Sequence, residues 1–581
     1  MALIVINRPT FAWTPGLITG IVLAPLLGIS CGRDVRAPGR TVWYRPQRDF
    51  NVSHRMLKKY SKAIGYVVLV KGFLAFAALL CGSFAHAEVV RVELTQRSDI
   101  QNGRSFGAAG AYEWVEGRVY FALDPANTRN HNIADLQLAP RNAAGRVEFS
   151  ADIALLQPKA ATRANGVALI DVVNHGERSV LRWLQYGDTS APATSISALG
   201  DALLLNQGVT LVWLGWQQDL PEQRGLMRLR GPVLEGVTGW VTGEVVVDAR
   251  MTEVALPRRF PVADRWADDS VLAVSGSRGQ LPRAIPGDYW AFARMQDGKL
   301  AGDNTLLHVD EGFVPGAWYT YAYRAVNPVV TGLGLAALRD VASWLRHDAS
   351  AAVRAKWVYA FGADQGGRLL RQFLHDGFNE DVAGHFAFDA MLVHGAGASL
   401  TGFNERFAQP SGTLSTRVLK LAESSAIKAA PKVFQTTTAW DYWGGGASFV
   451  YTTEGDKDIK DAALPPTTRA YHFAGAPQLR FGQPLSGTFP ANPLDVRPGL
   501  RGLYVTLDQW VRAGTTPVAS RYPLISAREL VAIDDWDPAA LAAVALPRGP
   551  WPVFSLTRTQ SAPVLSKPRP ALVPQLDPVG N

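Results

Sequence analysis

The chain has 581 residues, of which 47% are hydrophobic and 19% charged, a mixture that excludes a disordered or fibrous protein and allows a large buried core. Its formal charge of +8 would suggest a polyanionic partner, but residues 1–87 hold 11 of the 58 Lys/Arg and 2 of the 50 Asp/Glu. The body beyond them carries 47 basic and 48 acidic residues, so nucleic-acid binding has no compositional support. Both cysteines, Cys31 and Cys81, lie in that leader, which excludes disulfides, thiolate metal sites and cysteine redox chemistry from the body.

From Met56 the sequence reads M-L-K-K-Y-S-K, followed by an apolar stretch from Ile64 to Phe84 and by Ala85-His86-Ala87. This order of charge, apolar core and small residues predicts a signal peptide over 56–87, cleaved before Glu88, and hence an exported protein, periplasmic or secreted. A membrane anchor is the alternative, but Lys71 splits the run and no span is expected in the mature chain. Leu80 before Cys81 argues against a lipoprotein. Residues 1–55 read as a non-native extension ahead of a start at Met56, with a further anchor over Leu17–Ile29 as the alternative.

Residues 88–160 alternate in short runs such as V-V-R-V-E-L and G-R-V-Y-F-A-L, a β-rich lead-in. Near-continuous apolar strands follow at Val167–Val173 and Val209–Leu214, the first ending on Asn174-His175-Gly176 and the two separated by a helical segment. That rhythm predicts an α/β fold with a mostly parallel central sheet covered on both faces by helices. Residues 221–325 interrupt it with β-like runs and read as an insert or cap. It resumes with helix Gly334–Arg346, strand Trp357–Phe361, helix Arg368–Leu374, strands Phe386–Val393, Lys432–Thr436 and Ala470–Phe473, and helix Leu500–Arg512. A Pro-rich tail covers 556–581.

The sharpest constellation is K-W-V-Y-A-F-G-A-D-Q-G-G-R-L-L-R-Q-F-L: a strand, a turn with Gly362, Gly366 and Gly367, and a helix whose Leu369, Leu370, Phe373 and Leu374 share a face. Strand, glycine turn and helix make a nucleophile elbow, in which small residues permit a strained turn that lifts one side chain above the sheet. Asp364 stands at its apex, where Ser or Cys would be expected. An acidic residue there also reads as a plain helix N-cap.

These residues resemble the alpha/beta hydrolase domain family, whose elbow usually reads G-x-S-Q-S-G-R followed by L-R and G-F-N-E-D; here the run is G-A-D-Q-G-G-R-L-L-R-Q-F-L-H-D-G-F-N-E-D from Gly362 to Asp381. The likeness continues in R-S-F-G-A-A-G-A-Y-E from Arg104, A-P-R-N-A-A-G-R-V-E-F-S from Ala139, G-W-Q-Q-D from Gly215, F-N-E-R-F-A-Q-P from Phe403 and Y-W-G-G-G-A-S from Tyr442. It implies an α/β-hydrolase fold over 88–581 and an ancestry among exported serine ester hydrolases. It also implies an acid at Asp441 and a histidine turn after Y-H-F-A-G, where this chain has Gln478 instead. The family's segment around Leu572 runs further in other members.

Two triad positions thus depart from the pattern. His472 lies inside its strand rather than in the loop beyond it, and His394 reads either as facing the site or as a structural histidine. The oxyanion amides would come from Gln365 and from the Asn174, His175 and Gly176 loop. A carboxylate at the apex, stabilised by the helix N-terminus, competes with the developing oxyanion and is no substitute for a base-activated neutral nucleophile. The expectation is a weak or inactive esterase, or a binding protein for a small apolar or ester-type ligand, with Tyr442 and Trp443 as pocket residues. The alternative is an active hydrolase, either an ester hydrolase or an Asp-nucleophile enzyme resembling dehalogenases and epoxide hydrolases. No P-loop, G-x-G-x-x-G or H-E-x-x-H occurs, so no cofactor and no metal are expected.

Overall fold

The computed structural model describes residues 88–577 apart from 224, 257–259, 277–279, 352, 401, 408, 411–416, 419–429, 454–458, 478–491, 542–548, 554–555, 558–563, 566–568 and 570. They all belong to the compact unit Ser83–Asn581. The expected signal peptide, the extension before it, both cysteines and Gln478 lie outside the described residues.

The lead-in supplies β1 (Val89–Asp99), β2 (Gly110–Leu123) and β3 (Val147–Pro158). Then follow β4 (Val167–Val172), β5 (Thr210–Leu214), β6 (Trp357–Ala363), β7 (Ala390–His394), β8 (Lys432–Thr438) and β9 (Thr468–Phe473). Together with two short strands they form one sheet in the order β1-β2-β3-β5-β4-β6-β7-β8-β9. Pairing is antiparallel as far as β3–β5 and parallel from β5 to β9. Sequence dictates this division: β1 carries Arg91, Glu93, Arg97 and Asp99 and is a charged, largely exposed edge, whereas all six residues of β4 are buried, as a strand covered on both faces requires.

Helices α1 (Ser179–Gln185), α2 (Leu333–His347), α3 (Gln365–His375), α4 (Ala439–Trp443) and α5 (Arg497–Ala513) accompany the parallel strands. Helix α2 is buried nearly all round, which suits its role as the joint between the sheet and the lead-in. Arg339 bonds Asp340 at 2.8 Å, Asn130 at 2.9 Å and Glu88 at 3.1 Å there. The β-rich insert folds around its own core of Leu272, Phe313, Tyr321 and Tyr323, built on strands that include Thr238–Val245 and Trp318–Val326.

One expected strand is shorter than read. Residues 386–389 stay outside β7 because the Asn379 side chain accepts from the Phe388 amide at 2.9 Å and Phe386 points to solvent. Among the described residues no helix is long and apolar enough to cross a membrane.

Candidate active site

Register brings the ends of three parallel strands together: Ala363 pairs with His394, and His394 with Thr436. The next residue after β6 is Asp364, at φ 49° and ψ −112°, a conformation that costs a non-glycine residue of the order of 1–3 kcal/mol and marks functional turns. The glycines around it are required by contact. A Cβ on Gly362 would lie 2.6 Å from the Gly366 carbonyl, and one on Gly366 would lie 2.3 Å from the Val172 oxygen. The same contact seats the elbow against the end of β4, from which the Asn174–Gly176 loop departs.

Asp364 makes no side-chain cap on α3, so the plain N-cap reading gives way to another arrangement. Its carboxylate meets Arg368 one turn on, with Oδ1 3.1 Å from Nη2 and both side chains about four-fifths covered. Arg368 also donates from Nε to the Ala396 carbonyl at 2.7 Å, so the cation is held from two sides. Arg371, a further turn along, shares that carbonyl at 3.3 Å and keeps Nε and Nη1 without partners among the described residues. Burial pushes its guanidinium down to about 10, against the pull of Tyr451 and Asp441. Sequence reasoning missed both arginines; their spacing of four and seven residues from Asp364 on one helix was the available signal.

Asp441 follows β8 on α4 and is 3% exposed. Its Oδ2 accepts from the Thr438 amide at 2.7 Å and from the Thr438 hydroxyl at 3.0 Å, a capping box that fixes the carboxylate. Burial raises it to about 6, opposed by the Thr438 bonds and the charge of Arg368 and reinforced by the charge of Asp364. Asp364, Arg368 and Asp441 therefore share one electrostatic neighbourhood.

Neither His394 nor His472 serves this centre. His394 gives Asp364 only its carbonyl, which accepts the Asp364 amide at 2.9 Å. Its ring packs edge-on to Trp183 and bonds the Thr436 hydroxyl at 2.9 Å, and burial holds it down at about 3. His394 is thus the structural histidine of the two readings, bonded to a hydroxyl. The ring of His472 sits in β9 3.2 Å from the Thr437 hydroxyl and is held at about 4 by burial.

The remaining predicted residues are placed unevenly. Gln365 opens α3 with its amide at the elbow and is 4% exposed. Asn174 and Glu177 close a tight turn by mutual main-chain bonds of 3.2 and 2.9 Å, with His175 at φ 49° and Gly176 at φ 80°; the Asn174 side-chain oxygen is buried without a partner among the described residues. Trp443 lines a cavity beside α4. Tyr442 does not: it is wholly buried and edge-on to His472, because adjacent positions on a helix point about 100° apart. The Gln478 position lies outside the described residues, after Ala476 and Pro477.

This strand order, with a strained elbow after β6 and an acid loop after β8, defines an α/β-hydrolase-fold protein. Residues 287–562 match the family described as Alpha/beta hydrolase domain. No curated protein is matched. Solved structures similar to the chain include a CE15 glucuronoyl esterase from Teredinibacter turnerae, at 11% identity with a TM-score of 0.28 over 73% of this chain and 79% of that one. A glucuronoyl esterase from Solibacter usitatus is 12% identical, with a TM-score of 0.28 over 67% of this chain and 84% of its own.

Proposed function

We propose that this is an exported α/β-hydrolase-fold protein of carboxylic-ester hydrolase ancestry whose triad has been dismantled, and that it binds a small apolar or ester-type ligand without turning it over. One observation carries the reading: the apex side chain is a carboxylate neutralised by Arg368 at 3.1 Å. Ester hydrolysis needs a nucleophile deprotonated as it attacks and a vacancy for the oxyanion beside it. Asp364 brings a standing negative charge to that place, and its pairing with Arg368 lowers its own power to attack. Displacement by Asp364, in the manner of an alkyl-enzyme, would further need an imidazole to activate water. His394 is turned to Thr436 and His472 to Thr437.

The test compares hydrolysis of 4-nitrophenyl acetate by the full chain and by Asp364→Ala. The reading predicts equal rates near the solution background. Clear turnover that Asp364→Ala abolishes would overturn it in favour of an active hydrolase.

A further inference from the structure

The carboxyl ends of β8 and β9 and the segments around 521–529 and 574–577 enclose a cavity of about 560 Å³, a size suited to a small organic ligand. Ala439, Trp443 and His472 line it; Asp364 does not. Its apolar wall is preformed. Trp443 is set edge-on against Trp536 at 5.0 Å, and Tyr522 lies 4.8 Å from Tyr451, so both rings are held before any ligand arrives.

The polar groups of the lining are sorted by their partners. His472 spends Nδ1 on Thr437, and its other nitrogen has no partner among the described residues, leaving an uncharged hydrogen-bonding edge at the cavity. Arg521 is matched by Glu529 at 2.7 Å, and Asp577 has a partner of its own. Arg528 is different. It is exposed, its side chain makes no hydrogen bond or ion pair among the described residues, and its backbone is held at φ 59°. The Ile525 carbonyl, accepting the Arg528 amide at 2.9 Å, maintains that turn. A left-handed arginine held in a turn at a cavity mouth is an outlier of the kind that accompanies ligand recognition.

We propose that this cavity binds a small monocarboxylate with an apolar or aromatic body, its ring or chain against Trp443 and Tyr522 and its carboxylate on the guanidinium of Arg528. A planar guanidinium suits a carboxylate, and one unmatched cation suits one negative charge; a phosphate dianion would also face Glu529 and Asp577. The inference deepens the binding reading above and rests on it for the kind of ligand, an acid derived from an ester, while its geometry is independent of residue 364.

Isothermal titration of the full chain with 4-phenylbutyrate and its uncharged analogue 4-phenylbutyramide tests this. The acid is expected to bind about tenfold tighter or more, the worth of one charge-assisted pair. Arg528→Gln removes that preference while leaving the amide unchanged, and Arg528→Glu turns it toward 4-phenylbutylamine. Trp443→Ala weakens acid and amide alike. Equal affinity for acid and amide, undiminished acid binding in Arg528→Gln, or no binding of either compound overturns the proposal. Asp364-dependent ester turnover would remove the binding-only reading and leave an Arg528-dependent acid preference standing, so the two fail separately.

Discussion

Asp364 and Arg368 are the pair on which the site turns, and each is held for the other. Replacing Arg368 by Gln leaves a mostly covered carboxylate with no cation, and urea unfolding is expected to show a loss of about 1–3 kcal/mol, the usual cost of stranding a charged partner. No measurable change would mean that water satisfies the carboxylate. Restoring chemistry requires more than one residue. Asp364→Ser together with Gln478→His should raise 4-nitrophenyl acetate hydrolysis above that of either single variant, since a serine without its imidazole is not activated; the steady-state rate reads this directly. The apex itself was legible in the sequence, because glycines bracketing one polar residue between an apolar strand and an amphipathic helix allow few other folds. Arg368 was not, for a lysine or arginine four residues along a helix ordinarily reads as a solvated face.

At the scale of elements, the elbow is a close contact between β6, the first turn of α3 and the end of β4. Gly366→Ala forces a Cβ to within 2.3 Å of the Val172 oxygen, and neither backbone can yield without shifting its strand or helix. The expected loss is about 3 kcal/mol or more, at the upper end of overpacking effects, measured by denaturant unfolding. A loss below about 1 kcal/mol would show that β4 and α3 slide apart more readily than their packing implies. Strands β4 to β7 were readable because each is a largely apolar run of five to seven residues between turn signals. The start of β7 was not, since Phe386 and Phe388 look like strand residues and only the Asn379 side chain excludes their segment. The cavity beside α4 was equally hidden: Trp443, Arg528 and Gln575 come from distant segments and meet only in three dimensions.

Across the whole molecule, buried ionisable groups act in opposite directions on stability. Burial and the neighbouring Asp340 charge raise Glu88 to about 7, with Arg339 opposing. Its proton is therefore held in the folded chain and lost in the unfolded one, so its favourable contribution, complete below about pH 4.5, fades as the pH rises toward 7. His394 and His472, held low, work the other way between about pH 4 and 6.5, while Asp171 and Asp441, raised by burial to about 7 and about 6, act in the same direction as Glu88. Glu88→Gln isolates one term: relative to wild type the variant should gain stability as the pH rises from about 4.5 to 7, and a difference that is constant or reversed in urea midpoints would contradict the buried placement of Glu88. The central claim concerns the apex, and intact-mass spectrometry of the full chain after prolonged incubation with 1-bromobutane tests it most directly, because an alkyl ester on Asp364 would find His394 and His472 turned to Thr436 and Thr437 rather than toward it. The account predicts an unaltered mass at residue 364; a stoichiometric butyl adduct mapped to Asp364 would contradict it.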